Sequence, residues 1–154
     1  MTTFKFGPHL IHESQIFFKS KLTVGIVNLK PIAAGHVLVV PKRNTPRLGD
    51  LSTEETVDLM LSARKIGNVV ENHYNCTSLT MTIQDGPQAG QTVPHVHMHI
   101  IPRKKGDWEN NDDIYQELED SKKSKGVDNE EREPRSLEEM SQEAKELRAY
   151  FQYE

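Results

Sequence analysis

The sequence contains little cysteine: Cys76 is the only one in 154 residues, which excludes an internal disulfide framework and a cysteine-based zinc site. It also lacks any apolar run near the roughly eighteen residues of a membrane span, and its first residues lack the apolar core of a secretory signal. We therefore expect an unprocessed cytoplasmic protein with no membrane partner. The opening residues are basic and carry no acid before Glu13, so a nuclear or mitochondrial address stays open.

A basic excess is absent as well. Lys and Arg number 19 against 23 for Asp and Glu, which gives a net charge of −4 with neutral histidines. Non-specific binding to nucleic acid depends on a surplus of positive charge, so nucleic acid is not an expected partner. The length suits one domain, and the hydrophobic 35% of residues is clustered in runs, so we predict a single domain over residues 1–154.

Short runs rich in β-branched residues, bounded by turn signals, predict five strands at residues 16–18, 22–27, 36–40, 78–83 and 93–101. Turn-forming residues separate the first three strands, which favours an antiparallel meander. Proline has no amide hydrogen to continue a strand ladder, so Pro41 and Pro102 are expected to end the third and the fifth strand.

Two capping boxes predict helices. Ser52 and Glu55 begin a helix that runs to about Tyr74, and Ser136 and Glu139 begin an amphipathic helix near the end of the chain. The inner face of the first helix carries apolar residues at helical spacing: Leu59, Ala63, Ile66 and Val70. Glu55 is among the charged residues of this helix that are expected to face water.

Residues 119–135 are dominated by acidic and basic side chains and contain almost no apolar ones. Such a segment buries too little surface to offset the entropy of ordering it, which predicts a mobile charged loop. The order of elements is strands first, then one long helix, two more strands and a closing helix. This order indicates an α+β fold rather than a parallel sheet of βαβ units.

Three of the seven histidines stand in strict alternation, at His95, His97 and His99. On a strand, this spacing places all three imidazoles on one face, with Val96 and Met98 on the other. Three interpretations are open: a solvated strand, a zinc site shared by adjacent histidines, or chemistry near neutral pH. The third is possible because imidazole, with an ordinary pKa of about 6.5, is largely unprotonated at that pH.

The loop before these histidines, residues 84–92, contains Gly86 and Gly90, where the backbone can approach a ligand closely. The loop also carries three uncharged hydrogen-bond donors: Gln84, Gln91 and Thr92. Taken alone, such a loop is more often an ordinary turn. Beside three imidazoles, it favours the binding of a phosphate group.

The run His95-Val96-His97-Met98-His99-Ile100-Ile101 resembles the His-φ-His-φ-His-φ-φ motif of the histidine triad (HIT) superfamily, in which φ is apolar. The likeness extends over nearly the whole chain, through residues 4–9, 30–31, 35–39, 41, 84–93, 102–103 and 115. It is greatest to the Fhit branch, the dinucleoside triphosphate hydrolases, also called bis(5'-adenosyl)-triphosphatases. The resemblance implies a HIT-like fold, with an antiparallel meander sheet, one long helix and a C-terminal helix.

The resemblance also implies a reaction, the hydrolysis of diadenosine triphosphate to AMP and ADP through a covalent nucleotidyl-histidine. His97 would attack the α-phosphorus in line and release the nucleoside diphosphate, and water would then free the monophosphate. His95 would orient the His97 ring through its backbone carbonyl, and His99 and Gln84 would donate to the phosphate oxygens. His36 would lie behind the nucleophile, in either a catalytic or a structural role.

Further substrate-binding residues are carried onto this chain by the same resemblance. Asn28 would meet the ribose and His9 would lie near the ligand. The phosphates would contact Gly90, Gln91, Thr92 and Val93. The purine would pack against apolar residues such as Phe6, Ile11 and Leu38. The aromatic candidates for holding a second nucleoside are Trp108 and Tyr115.

No required cofactor and no resident metal are implied, although Mg²⁺ or Mn²⁺ can neutralise the substrate phosphates. The implied partners are the dinucleoside polyphosphate substrate and a second copy of the chain in a homodimer. Two alternatives stay open: a Hint-like nucleoside phosphoramidase, and a nucleotide-binding signalling protein that acts through its substrate complex.

Overall fold

A computed structural model describes residues 3–122 and 134–151 and shows an α+β fold. The strands in these residues are β1 (Thr3–Phe6), β2 (His9–His12), β3 (Ile16–Lys19), β4 (Thr23–Val27), β5 (Val37–Pro41), β6 (Ser78–Ile83) and β7 (Met98–Arg103). The helices in these residues are α1 (Thr53–His73), α2 (Asp113–Lys122) and α3 (Leu137–Arg148). Strands β1 and β2 form a hairpin, and the other five form one antiparallel sheet in the order β3-β4-β5-β7-β6. The predicted α+β class and antiparallel meander are confirmed.

Strand β5 ends at Pro41 as predicted, whereas β7 continues past Pro102 to Arg103, so the prediction for Pro102 is wrong. Pro41 pairs with Thr23, and Pro102 pairs with Leu79. The amides of neighbouring residues point to opposite sides of a strand, and both prolines direct their missing amide toward the gap between β5 and β7. Pairing between β5 and β7 covers only Val37 to Val39 of β5, so no ladder hydrogen bond is lost at either proline.

One face of the sheet is covered by α1 and α3. The sheet residues of this face include Val37 and Val39 of β5 and their partners on β7. Helix α1 contributes the four apolar residues predicted for its inner face, all of them buried: Leu59, Ala63, Ile66 and Val70. Helix α3 contributes Met140, Ala144 and Leu147 to the same core. Burial of these apolar surfaces is the main source of stability for this layer.

Helix α1 begins as predicted, with Ser52 as its N-cap and both capping-box hydrogen bonds formed to Glu55. Glu55 itself is buried rather than facing water, which corrects the prediction. The Arg43 guanidinium donates to both of its carboxylate oxygens, at 2.8 and 2.9 Å. These two bonds and the Ser52 amide compensate for removing the charge from water.

The opposite face of the sheet carries the β1–β2 hairpin, which the sequence analysis did not predict. Phe4 and Phe6 of β1 pack on a cluster formed by alternate residues of β3, β4 and β5: Ile16, Val24, Ile26, Leu38 and Val40. Helix α2 covers Ile101 farther along the same face. His99 pairs with Leu38 and therefore projects from this face, between the hairpin and α2.

The C-terminal helix α3 begins at the predicted capping box of Ser136 and Glu139. The predicted charged loop at 119–135 is wrong at its start, because residues 119–122 belong to α2. Residues 123–133 of that loop lie outside the described residues. Among the described residues, no helix combines the length and the apolar character needed to cross a membrane.

Candidate active site

The three alternating histidines were predicted to lie in one strand, and that prediction is wrong. Strand β7 begins at Met98, so His99 is in the strand while His95 and His97 precede it. Pro94 offers no amide at the start of this segment. The amide of Val96 instead donates to the Thr45 carbonyl at 2.8 Å, beyond the end of β5. The segment is therefore paired with the chain after β5, and the His95 ring is directed into the protein interior.

His95 is fully buried, and backbone groups bind both nitrogens of its ring. The Gly7 amide donates to Nδ1 at 3.0 Å, so the ring hydrogen is on Nε2, which donates to the Pro41 carbonyl at 2.8 Å. Removal from water lowers the pKa of His95 below its ordinary value, which keeps the ring neutral. With both nitrogens bound, His95 is not available as a metal ligand. In the described ranges, no three His, Cys, Asp or Glu side chains form a group that could hold a metal ion.

His97 has its two ring nitrogens in different roles. Its Nδ1 lies 2.7 Å from the carbonyl oxygen of His95, a contact that requires the hydrogen to be on Nδ1. The Nε2 lone pair is then the basic and nucleophilic site of this ring. Phe6 of the hairpin meets the His97 ring edge to face, with centroids 5.1 Å apart, and the ring is buried. The backbone carbonyl expected to orient this ring is therefore in place.

His36 and His99 form a hydrogen-bonded pair beside His97. The Ile32 amide donates to Nδ1 of His36 at 3.1 Å, which leaves the hydrogen of His36 on Nε2. That nitrogen donates to Nδ1 of His99 at 2.9 Å, so His99 carries its own hydrogen on Nε2. The His97 and His99 rings lie 5.2 Å apart. His36 thus fixes the tautomer of His99.

The predicted phosphate loop folds back on itself. Gly90 adopts a positive φ of 96°, and the Gln84 side-chain amide donates to the Ala89 carbonyl at 3.1 Å. The Gln91 side-chain amide uses its nitrogen for the carbonyls of Pro46 and Val93. Because both of its hydrogens are used, a phosphate contact from this amide requires the loop to rearrange. Among the other predicted contacts of this loop, Thr92 is exposed and Val93 is half-buried.

An apolar cleft of about 350 Å³ lies between the hairpin and the ends of β4 and β5. It brings together five residues predicted for nucleoside binding, Phe6, His9, Ile11, Asn28 and Leu38. Phe6 both lines the cleft and touches His97, so the cleft borders the histidines. The four predicted phosphate contacts at 90–93 do not line this cleft.

The two aromatic candidates for a second nucleoside lie in a separate groove of about 670 Å³ beside β6. Trp108 stacks against the Arg103 guanidinium there, 5.1 Å from the ring centroid, and Tyr115 is exposed at the rim. Arg103 is held in turn by Asp107 and by the Thr80 hydroxyl.

Sequence reasoning missed the backbone groups that set the histidine tautomers. These are the amides of Gly7 and Ile32 and the carbonyl of Pro41. Backbone donors and acceptors leave no side-chain signature, so their partners are known only from the fold. The Gly7-Pro8 pair was the available signal for the hairpin turn that places one of them.

The structure is an antiparallel sheet with α1 and α3 on one face and four buried histidines grouped on the other: His36, His95, His97 and His99. The chain belongs to the HIT family, because the HIT domain model matches residues 11–106. That match contains all four buried histidines and ends before α2.

Known relatives extend the similarity to almost the full chain. A bis(5'-adenosyl)-triphosphatase of Dictyostelium discoideum is 57% identical over 99% of this chain and 95% of its own. The bifunctional bis(5'-adenosyl)-triphosphatase/adenylylsulfatase FHIT of Arabidopsis thaliana is 47% identical over 97% of this chain and 85% of its own. The crystal structure of Plasmodium falciparum diadenosine triphosphate hydrolase, in complex with cyclomarin A, superposes with a TM-score of 0.78. It is 31% identical and the match covers 97% of this chain and 84% of that one.

Proposed function

We propose that this protein hydrolyses diadenosine triphosphate to AMP and ADP, with His97 as the nucleophile. The observation that carries the proposal is the 2.7 Å contact between His97 Nδ1 and the His95 carbonyl, which requires a hydrogen on Nδ1 and so makes Nε2 the nucleophilic nitrogen. The relatives in Dictyostelium discoideum and Arabidopsis thaliana, both named as bis(5'-adenosyl)-triphosphatases, support the same substrate class.

The reaction proceeds in two displacements at the α-phosphorus. In the first, His97 Nε2 forms a bond to phosphorus as the bond to the bridging oxygen breaks, and ADP leaves with that oxygen. In the second, the oxygen of a water molecule bonds to phosphorus as the N–P bond breaks. The electron pair of that bond returns to His97 Nε2, AMP leaves with the water oxygen, and a proton of the water passes to the solvent. Splitting one difficult hydrolysis into two displacements is the usual advantage of a covalent intermediate.

Neighbouring groups supply hydrogen-bond donors to the phosphate. His99 presents an N–H at Nε2, because His36 donates to its other nitrogen at 2.9 Å. Such a fixed donor stabilises negative charge on a phosphate oxygen as it grows in the transition state. Gln84 is proposed to donate to the same group, which requires its amide to leave the Ala89 carbonyl.

The adenosine next to the attacked phosphorus is proposed to occupy the apolar cleft. Phe6, Ile11 and Leu38 supply the apolar walls for the purine, and Asn28 and His9 supply polar groups for the ribose side. The backbone at 90–93 is proposed to meet the phosphates. No resident metal is part of this proposal, and Mg²⁺ or Mn²⁺ would bind with the substrate phosphates rather than to the protein alone.

A homodimer is proposed on the basis of the sheet edge. Strand β6 is at the end of the sheet order, with hydrogen-bond partners on one side only among the described strands. Met81 projects from this edge, and the outer surface of α1 carries three more exposed apolar side chains, Val57, Met60 and Leu61. An open, partly apolar edge is the feature that a second copy can cover. The cytoplasm remains the proposed compartment, and fractionation of cells tests it.

Incubation of the purified protein with diadenosine triphosphate, followed by chromatography of the products, tests the activity. We expect AMP and ADP in equal amounts from the unaltered protein and from His12→Ala, which changes an exposed histidine outside the site. His97→Ala is expected to lose hydrolysis by at least about a thousandfold, because the nucleophile is removed. With substrate labelled in the adenosine, quenching with base during turnover should trap the nucleotidyl-histidine on the unaltered protein and on His12→Ala, and not on His97→Ala.

The same assay separates the alternatives. Cleavage of an adenosine phosphoramidate without cleavage of the triphosphate would move the protein to the phosphoramidases and keep His97 as nucleophile. Tight binding of both compounds with no cleavage of either would favour the signalling function.

A further inference from the structure

Arg135 lies outside the matched HIT region and contacts the nucleoside cleft from behind. It precedes α3, and its guanidinium donates twice to the Asn28 carbonyl, from Nε at 3.1 Å and from Nη2 at 2.5 Å. Its backbone amide donates to the next carbonyl along, that of Leu29, at 3.0 Å. Asn28 and Leu29 both line the apolar cleft. Arg135 is therefore bonded to the backbone of two consecutive cleft residues.

These two carbonyls lie just beyond the part of β4 that pairs with β5. The pairing of β4 with β5 ends at Val27 opposite Val37, so the backbone of residues 28 and 29 has passed the ladder. A carbonyl in this position needs a donor from elsewhere, and the conformation of the peptide follows the donor it finds. The charged fork of an arginine is a strong donor with a defined direction.

Arg135 is itself held on its other side. Its Nη2 lies 2.7 Å from Oε1 of Glu143 on α3, and both side chains are largely buried. The Tyr74 hydroxyl at the end of α1 donates to Oε2 of the same carboxylate. Burial and this carboxylate raise the pKa of Tyr74, so the hydroxyl stays a donor. The guanidinium thus joins α1 and α3 to the peptide that carries Asn28.

The Asn28 side chain is also constrained at its own end. Its Oδ1 accepts from the Lys30 amide at 3.1 Å, and its Nδ2 lies 3.4 Å from Nδ1 of His36, the ring nitrogen that carries no hydrogen. With Arg135 on the carbonyl and these two contacts on the amide, the side chain has one orientation at the edge of the cleft. Loss of the guanidinium would release the backbone while leaving the cleft walls in place.

We infer that Arg135 is a positioning residue for nucleoside binding, which holds Asn28 in the orientation that meets the ribose. The inference rests on the proposed function, because it assigns Asn28 to the nucleoside. It predicts that Arg135 acts on affinity for the nucleoside and leaves the step at phosphorus unchanged, since none of its contacts reaches His97 or His99.

The test compares Arg135→Gln with Arg43→Gln. Arg43 is a matched control because its guanidinium likewise binds one glutamate and one backbone carbonyl, those of Glu55 and Asp50, away from the cleft. AMP affinity is measured by titration calorimetry, and diadenosine triphosphate turnover gives KM and kcat separately. The single variant leaves the Glu143 carboxylate buried without its cation and could fold poorly for that reason. The double variant R135Q/E143Q removes this carboxylate as well and is therefore measured alongside.

We expect Arg135→Gln to weaken AMP binding and to raise KM by about tenfold or more, with kcat within about twofold of the unaltered protein. The double variant should behave in the same way, and Arg43→Gln should bind AMP normally. AMP affinity equal to that of the unaltered protein in both Arg135 variants, or an equal loss in Arg43→Gln, would overturn the inference. If the unaltered protein does not hydrolyse diadenosine triphosphate, the proposed function is wrong, and the inference is wrong with it.

Discussion

At the scale of single residues, the backbone sets the state of the histidines. Amides of Gly7 and Ile32 donate to His95 and His36, and the His95 carbonyl accepts from His97. The contacts at His95 and His36 place the hydrogen of each ring on Nε2, and the contact at His97 requires a hydrogen on Nδ1, the nitrogen away from the proposed point of attack. This arrangement needs no carboxylate partner for His97, unlike the hydrolase triads in which an acid orients the base.

The His95 ring should resist protonation. Desolvation lowers its pKa in the folded protein, whereas in the unfolded chain it takes up a proton near pH 6.5. The unfolded state then binds more protons below that pH, so the stability contributed by neutral His95 is complete above about pH 6.5 and decreases as pH falls. Ring signals of His95 in an NMR titration should report the neutral Nε2–H tautomer near neutral pH and a titration midpoint below pH 6.5. Titration of His95 at or above pH 6.5 would contradict this.

Replacing Gly7 with alanine should disturb the same histidine. Gly7 has a φ of +56°, and an added Cβ would lie 2.7 Å from Cγ1 of Val93. We expect Gly7→Ala to lower the free energy of unfolding by roughly 1–3 kcal/mol and to lower kcat, because its amide must move from His95. Gly49→Ala is the control, since an added Cβ there meets nothing within 4 Å. Urea denaturation measures the free energy of unfolding of both variants. Equal losses of stability in Gly7→Ala and Gly49→Ala would argue against this account.

At the scale of elements, the start of α1 is joined to the end of β5 by charge. Glu55 closes the capping box with Ser52 and also receives the Arg43 guanidinium. These hydrogen bonds, of which the one from Arg43 has the largest effect, lower the pKa of Glu55 to about 2. One carboxylate therefore accepts the Ser52 amide at the start of the helix and also binds Arg43, in the segment that follows β5. The same segment continues to Thr45, whose carbonyl accepts from the Val96 amide.

Glu55→Gln should change how stability depends on pH. A carboxyl whose pKa is lowered on folding stabilises the protein above its ordinary pKa, near 4.5, and loses that contribution as pH falls toward 2. We expect the variant to be less stable than the unaltered protein at pH 7, with the difference shrinking between about pH 4.5 and pH 2. Denaturant unfolding over this range is the measurement. Glu54→Gln, at an exposed neighbouring site, is the control substitution, and a constant difference for Glu55→Gln would count against the assignment.

At the scale of the whole molecule, the site exists only when distant parts of the chain meet. The hairpin supplies Phe6 and Gly7, the loop before β5 supplies Ile32, and the segment before β7 supplies His97. Helix α3 reaches the same region from the far end of the sequence through Arg135. The sheet holds these parts in place on one face, while its β6 edge lies to the side of the site.

Light scattering of the purified protein should give twice the 17.6 kDa of one chain. Met81→Lys should shift this mass toward the monomer, because a lysine on an open strand edge opposes pairing with a second strand. Tyr150→Lys is a control, since it places a new charge at another exposed aromatic site beyond α3. A monomeric mass for the unaltered protein would refute the dimer, and a dimeric mass for Met81→Lys would move the interface away from β6.

Much of the fold could be predicted from local pattern. The capping boxes at Ser52 and Ser136 mark the helix starts correctly, because their hydrogen bonds join residues three apart in sequence. The burial of Glu55 could not be predicted, because its partner Arg43 lies in another element. The histidine motif likewise indicated the kind of site and not the directions of its rings, since Pro94 and the Thr45 carbonyl bend the chain before β7.

The sequence by itself therefore determined the α+β class, most of the strand and helix positions, and the histidine motif that assigns the chain to its family. Periodicity and capping are local properties, and short stretches of chain carry them in full. The tertiary structure alone decided which nitrogen of each histidine carries the hydrogen, how the Asn28 side chain is oriented, and that Arg135 binds the Asn28 carbonyl. Each of these depends on a backbone group or charge that is distant in sequence, and only folding brings the partners within hydrogen-bond distance.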